Sequence, residues 1–210
     1  MDNDNYLEHG KKKLYEKNYK PAIKDFEKSI SIQPNYEAYL GLGVSLFKIK
    51  KYHEANCALE LAVGIKKTSA AYYYLGLTCV ELNKFNDSIE NLRNSLVISK
   101  KAETYYRLAL SYLKISNFPE AINSLEQSLK LVDSLKFRMK LIDVYMALNL
   151  FHNALKIINN STDLSVDSNL LMKRGICLFH LNQFEESKKS FIQSIEIHKE
   201  SKAMKWLANC

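Results

Sequence analysis

Residues 69–100 read SAAYYYLGLTCVELNKFNDSIENLRNSLVISK, and this stretch decides the fold. Ala71, Tyr72, Leu75, Gly76 and Cys79 recur at i, i+1, i+4, i+5 and i+8, the stripe that one face of a helix buries. Leu82, Asn83 and Lys84 interrupt it. Beyond them Phe85 opens a second stripe, with Ser88, Ile89, Leu92 and Leu96 on one side. Asn83 is a residue type that accepts the left-handed backbone of a tight turn. The stretch is therefore predicted to form two helices joined by a short turn.

Outward from here the pattern repeats without drift. Phe85 belongs to the column Tyr19, Tyr52, Phe85, Phe118, Phe151, Phe184, each 33 residues after the last. Gly76 belongs to Gly10, Gly43, Gly76, Ala109, Ile142, Gly175, and Ser88 to Ala22, Ala55, Ser88, Ala121, Ala154, Ser187. Asn149 and Asn182 repeat Asn83, and Pro21 and Pro119 fall near the start of the second helix, where a missing N–H is harmless. Three columns at one period mark a repeat protein. The copies run 3–35, 36–68, 69–101, 102–134, 135–167 and 168–200. A unit of this size cannot bury its apolar face alone, so neighbouring copies must stack. Small residues in the glycine and alanine columns let paired helices approach closely. The expectation is one domain over 1–210: an all-α, right-handed superhelical solenoid of antiparallel helix hairpins.

Composition agrees. An apolar fraction of 47% supports a continuous core, and 3 Pro with 6 Gly favour long helices over strands and turns. The net charge of +7 rests on lysine, with Arg93, Arg107, Arg138 and Arg174 as the arginines. A Lys-rich, Arg-poor balance reflects an AT-rich genome better than a nucleic-acid site, so no nucleic-acid partner is expected. Cys57, Cys79, Cys177 and Cys210 form no CxxC pair, which gives no support for zinc or thioredoxin-type chemistry and sets a reducing, cytoplasmic expectation. Residues 1–10 are polar, without the apolar stretch of a secretion signal, and no run reaches the roughly 18 residues needed to span a membrane.

The unit resembles the tetratricopeptide repeat, whose signature places an aromatic, Leu-Gly and Tyr in the first helix and Ala and Phe in the second. The second copy carries Tyr39, Leu42, Gly43, Leu46, Ala55 and Leu59; the fourth carries Tyr105, Leu108, Ala109, Tyr112, Ala121 and Leu125; the first has Ala22, Phe26 and Pro34. The resemblance covers essentially the whole chain. The unit is one residue shorter than the family's 34, and the spacing from Gly10 to Ala22 is intact, so the missing residue belongs to the turn between copies.

The departures are local. In the fifth copy the second helix runs into Asn159-Asn160-Ser161-Thr162-Asp163, residues that compete with helical hydrogen bonding. Arg138 and Arg174 stand in columns that are Tyr or Leu elsewhere, His9 excepted. Two readings are open: stems that pack while the charged heads reach solvent, or a charged junction on which the last repeat pivots. Residues 201–210, with Met204, Leu207 and Ala208, begin a seventh first helix, too short and too apolar for a complete cap. Either these residues form a minimal lid or the chain is the N-terminal piece of something longer, and the second is the expectation.

No catalytic constellation is present: neither GxSxG, a P-loop, GxGxxG nor HExxH occurs. His9, His53, His152, His180 and His198 are scattered along the chain without an i, i+4 partner and are expected on the surface, with no metal and no cofactor. Cys79 reads as a core residue and Cys57 as an outer one with nothing nearby to activate it. Lys11-Lys12-Lys13 and Lys50-Lys51 read as solvated surface.

The informative surface is the concave side, which the resemblance assigns to the first helices. One row there is Leu7, Leu40, Tyr73, Tyr106, Met139, Met172; a second is Leu14, Phe47, Val80, Leu113, Met146, Phe179; between them lie Lys11, Val44, Leu77, Leu110, Asp143, Ile176. All but Lys11 and Asp143 are apolar or Tyr. These rows are either core between hairpins or an exposed trough; the second reading predicts a groove for an amphipathic helix or an extended apolar segment of a protein or peptide partner. Arg107, Lys114, Lys140 and Lys173 form its rim. Some members of the family hold acidic C-terminal peptides by a Lys/Asn clamp; the matching places here are Leu7, Lys11, Gly41, Ala70 and Tyr74, which speaks against a chaperone-tail receptor.

The functional expectation is a non-catalytic interaction scaffold. The alternative is an N-terminal recruitment or oligomerisation region of a larger enzyme, such as a glycosyltransferase, which the break in a seventh unit motivates. Self-association through the groove or the open end is a third reading.

Overall fold

The computed structural model describes residues 3–198 and 201–208. They form thirteen helices and no strand. The chain divides into two units, Met1–Ser124 and Leu125–Cys210.

The first unit holds α1 (Asn3–Tyr15), α2 (Tyr19–Ile32), α3 (Tyr36–Lys48), α4 (Tyr52–Ile65), α5 (Ser69–Glu81), α6 (Phe85–Ile98), α7 (Ala102–Lys114) and the first half of α8 (Phe118–Leu131). Consecutive helices pair as hairpins, and each first helix also packs on the hairpin before it. Every second helix begins on the aromatic column: Tyr19, Tyr52, Phe85 and Phe118 here. Inside the hairpins Ala22, Ala55, Ala121 and Ser88 are fully buried, as are Phe26, Leu59 and Leu92. Ser88 and Ser111 share a hydrogen bond between hydroxyls at 2.9 Å, which satisfies both groups in the core.

One turn closes each hairpin. Lys17, Lys50, Asn83 and Ser116 all take a left-handed backbone, with φ of 58–64°. The N–H of Lys84 donates to the carbonyl of Cys79 at 2.8 Å and that of Asn83 to Val80 at 3.0 Å, which satisfies carbonyls the helix end would leave bare. At the opposite end Asn35 and Thr68, 33 residues apart, cap α3 and α5 by accepting the N–H of Ala38 and Ala71. The sequence expectation of a left-handed asparagine at the turn holds for Asn83.

The second unit contains the rest of α8, then α9 (Leu135–Ala147), α10 (Phe151–Asn159), α11 (Ser168–His180), α12 (Phe184–Ile197) and α13 (Ser201–Leu207). Asn149 and Asn182 repeat the left-handed turn, and Asp167 repeats the cap on α11. The fifth copy is short as expected: α10 has 9 residues where α12 has 14.

Arg138 corrects the expectation that its charged head reaches solvent. The residue is 6% exposed. Its Nη1 donates to Ser161 Oγ at 2.7 Å and to Asp163 Oδ2 at 3.1 Å, and Nη2 pairs with Asp133. A guanidinium can be buried only when its donors are used, and here the irregular stretch after α10 supplies the acceptors. Arg174 bonds Asn159 and Ser190. Together the two arginines tie the fifth copy down, which is the opposite of a pivot. Lys13 likewise departs from a purely solvated reading, since its Nζ donates to the buried Asp25 at 2.5 Å.

The short α13 packs on the last hairpin. Ala203 is fully buried, and the Trp206 ring meets Phe179 at 5.5 Å and stacks near Phe191 at 6.3 Å. So this brief apolar helix covers core in the manner of a minimal lid, the first of the two readings of residues 201–210. Cys210 lies outside the described residues.

Candidate functional site

One face of each first helix carries apolar residues that neighbouring helices cover only in part. On α3, α5 and α7 that face carries Leu40, Phe47, Tyr73, Leu77, Val80, Tyr106, Leu110 and Leu113, all half-buried. Val44 differs: at 7% exposure it belongs to the packing and has little to offer a ligand. Leu7 and Leu14 of α1 pack against the Phe26 core.

Phe47, Tyr73, Leu77, Val80 and Leu110 come together around a cleft of about 200 Å³, with Lys48, Glu81 and Arg107 at its edge. Tyr74 also lines it and was absent from the expected rows. The signal was present in the run Tyr72-Tyr73-Tyr74, but only the contact with α3 reveals its use: its ring meets Phe47 at 6.2 Å and Tyr73 at 5.4 Å, both edge to face. A neighbouring cleft of about 290 Å³ shares Tyr73 and Tyr74 and adds Ser69, Ala70, Lys101, Glu103 and Thr104. Burial pushes the Tyr73 phenol up, opposed by Arg107 and assisted by Glu103; burial also pushes the Tyr74 phenol up. Both therefore stay protonated near neutrality and can donate hydrogen bonds. Arg107 Nε donates to Glu103 at 2.8 Å, which fixes that side of the rim, while Lys114 is exposed.

In the second unit Met139 and Met146 of α9 and Met172, Ile176 and Phe179 of α11 are half-buried. Lys173 donates to Asp143 at 2.6 Å, so the two polar members of this face neutralise each other. Lys140 is half-buried. Phe179 is enclosed by Phe184 and Trp206, each 5.5 Å away between ring centres.

Among the described residues no cluster of His, Cys, Asp and Glu is arranged to hold a metal ion, and no helix is long and apolar enough to cross a membrane. The five histidines are exposed. Cys79 and Cys177 are buried, and burial pushes each thiol up to about 11, away from nucleophilic reactivity. Cys57 is exposed.

Comparison with known proteins agrees with this geometry. Residues 16–95 match the family model described as anaphase-promoting complex, cyclosome, subunit 3, and residues 102–131 match the tetratricopeptide repeat model. No curated protein sequence matches the chain at a significant level. Among solved structures, the C-terminal part of a repeat-containing protein from Cytophaga hutchinsonii superposes with a TM-score of 0.82 at 17% identity, over 91% of this chain and 78% of that one. YrrB, described as a TPR protein with an unusual peptide-binding site, gives 0.73 at 15% identity, over 86% and 96%. A chain of the APC/C hetero-tetramer Cut9–Hcn1 gives 0.64 at 20% identity, over 99% of this chain and 42% of that one. At these identities the likeness speaks for the fold. Repeats of this fold generally serve as non-catalytic scaffolds that bind protein or peptide partners. With its hairpins, its turn and its small-residue columns all recurring at one period, the chain is a tetratricopeptide repeat protein.

Proposed function

We propose that the repeats are non-catalytic and that the first unit holds an apolar or amphipathic segment of a protein partner on its first-helix face. The observation that carries this reading is the cleft of Phe47, Tyr73, Leu77 and Leu110, partly accessible and edged by Lys48, Glu81 and Arg107. Soluble proteins seldom leave contiguous apolar surface without a use for it. Tyrosine brings large contact area at a small entropic cost, and its protonated phenol adds a directional donor. In the second unit Met139, Met146 and Met172 supply an adaptable apolar surface. YrrB, with its unusual peptide-binding site, is a precedent for peptide capture on this fold. In the first unit Arg107 already holds Glu103, which leaves Lys114 to meet an acidic flank; in the second Lys173 holds Asp143, which leaves Lys140. Each such exposed contact contributes only about 0.2–1 kcal/mol, so apolar complementarity dominates.

The test is a display selection of peptides on the wild-type chain, followed by affinity measurement on Tyr73→Ala/Tyr106→Ala. Helical circular dichroism is expected to be unchanged and affinity to fall by about tenfold or more, as loss of two aromatic anchors implies. Equal affinity in the double variant removes the proposal.

A further inference from the structure

A third cleft opens on a different face of α3 from the inner rows. It has a volume of about 660 Å³ and lies among α2, α3 and α4. Leu42, Leu46 and Ala58 make its floor, with Ile23 of α2 packed against them. Leu61 of α4, 52% exposed, forms its lip. Along the α4 wall the small Cys57 and Ala58 stand between Glu54 and Leu61. Its size lies within the roughly 300–1,000 Å³ typical of small-ligand sites.

Charge is unevenly placed along it. Lys20 and Lys24 belong to the first half of α2, and Lys51 is the N-cap of α4, so three ammonium groups gather where these helices begin. The N-terminal ends of the helix dipoles add to the positive potential there. Glu54 is the acid at that end, and it is already paired with Lys51 at 3.2 Å. Lys20 and Lys24 make no ion pair among the described residues. Glu27 and Tyr39 stand toward the other end. The cleft is thus a greasy slot with one cationic mouth.

We infer that this cleft binds a single-chain amphiphile, with an alkyl or acyl chain over Leu42, Leu46 and Leu61 and an anionic head at Lys20 and Lys24. A partner helix would need a groove that continues past several hairpins, whereas this one is confined to three helices. Tyr73 and Tyr106 take no part, so this site and the proposed peptide face stand or fall separately.

The probe is decanoate, titrated below its micellar concentration into the full chain and followed by calorimetry and amide chemical shifts. Saturable one-to-one binding is expected. Decanol and decyltrimethylammonium, which carry the same chain, are expected to bind about tenfold more weakly. Lys20→Glu/Lys24→Glu, at two exposed positions, is expected to erase the preference for decanoate over decanol. Leu61→Asn is expected to weaken every chain, while Tyr73→Ala/Tyr106→Ala leaves decanoate binding unchanged. Absence of saturation, equal binding of the three head groups in the wild type, or a preference retained by the lysine variant overturns the inference.

Discussion

The ring of Phe26 occupies the space that a side chain on Gly41 would need: a Cβ built there stands 2.3 Å from Cζ. The same ring approaches Gly10 at 2.8 Å, so one aromatic of α2 is held between a glycine of its own hairpin and a glycine of the next. Gly175 repeats the relation with Phe191 at 2.5 Å. Close approach, and no left-handed backbone, is what these positions require, since the glycines lie in helices with ordinary φ.

Gly41→Ala is therefore expected to destabilise the chain. Alanine gains about 1 kcal/mol of helix propensity, but overpacking a filled core costs about 1–3 kcal/mol. Gly64, near the end of α4, has nothing within 4 Å of its Cβ position, so Gly64→Ala is expected to raise stability by up to about 1 kcal/mol. Denaturant midpoints by circular dichroism check both. A Gly41→Ala chain as stable as wild type would mean that Phe26 can move aside.

A parallel argument applies to the turn column. Lys50 holds φ at 64°, a conformation that costs an L-residue about 1–2 kcal/mol. Glycine gives back up to about 1 kcal/mol of this through its freer unfolded chain, so Lys50→Gly is expected to stabilise by about 0.5–1 kcal/mol. Asn83→Lys is expected to lose a similar amount. Thermal unfolding of the two variants decides, and a Lys50→Gly chain less stable than wild type would contradict the argument.

These columns also mark what was readable in the sequence. Period and small-residue spacing gave the hairpins, and the aromatic column gave the first residue of every second helix. Asn83 announced the turn because asparagine tolerates the left-handed region; Lys17, Lys50 and Ser116 did not, because there the packing of two helices overrides a local preference. The half-buried inner rows were legible as apolar columns, while the burial of Val44 leaves no local trace. Arg138 read as an exposed charge because its partners Ser161 and Asp163 lie 23 and 25 residues away in an irregular stretch.

Arg138 makes a contrast that separates charge from packing. Removing both carboxylates in Asp133→Asn/Asp163→Asn leaves an Arg138 side chain that is 7% exposed, still bonded to Ser161 but with neither negative charge to balance it. The expected loss is about 3 kcal/mol, at the lower end for a broken buried pair because both acids are partly exposed. Arg138→Leu removes the charge together with its need for partners and restores the residue type of the next copy, Leu171. It is expected to stay within about 1 kcal/mol of wild type, with faster amide exchange confined to residues 160–167. An Arg138→Leu chain weaker than the double aspartate variant would show that the guanidinium itself carries the stability.

Cys79 and Cys177 predict how the fold responds to alkali. Each thiol is pushed from 9.0 up to about 11 by burial. A raised acid pKa means that the unfolded chain releases its proton first. Stability from these groups is therefore complete below pH 9 and is lost as pH rises toward 11. Midpoints of denaturant unfolding are expected to fall across that window, and to fall less in Cys79→Ala/Cys177→Ala. At pH 8 the same burial should leave Cys79 and Cys177 unalkylated by iodoacetamide while the exposed Cys57 reacts, as read by mass spectrometry of the digested protein. Prompt alkylation of Cys177 at that pH would show that α11 opens locally on the time scale of the reaction.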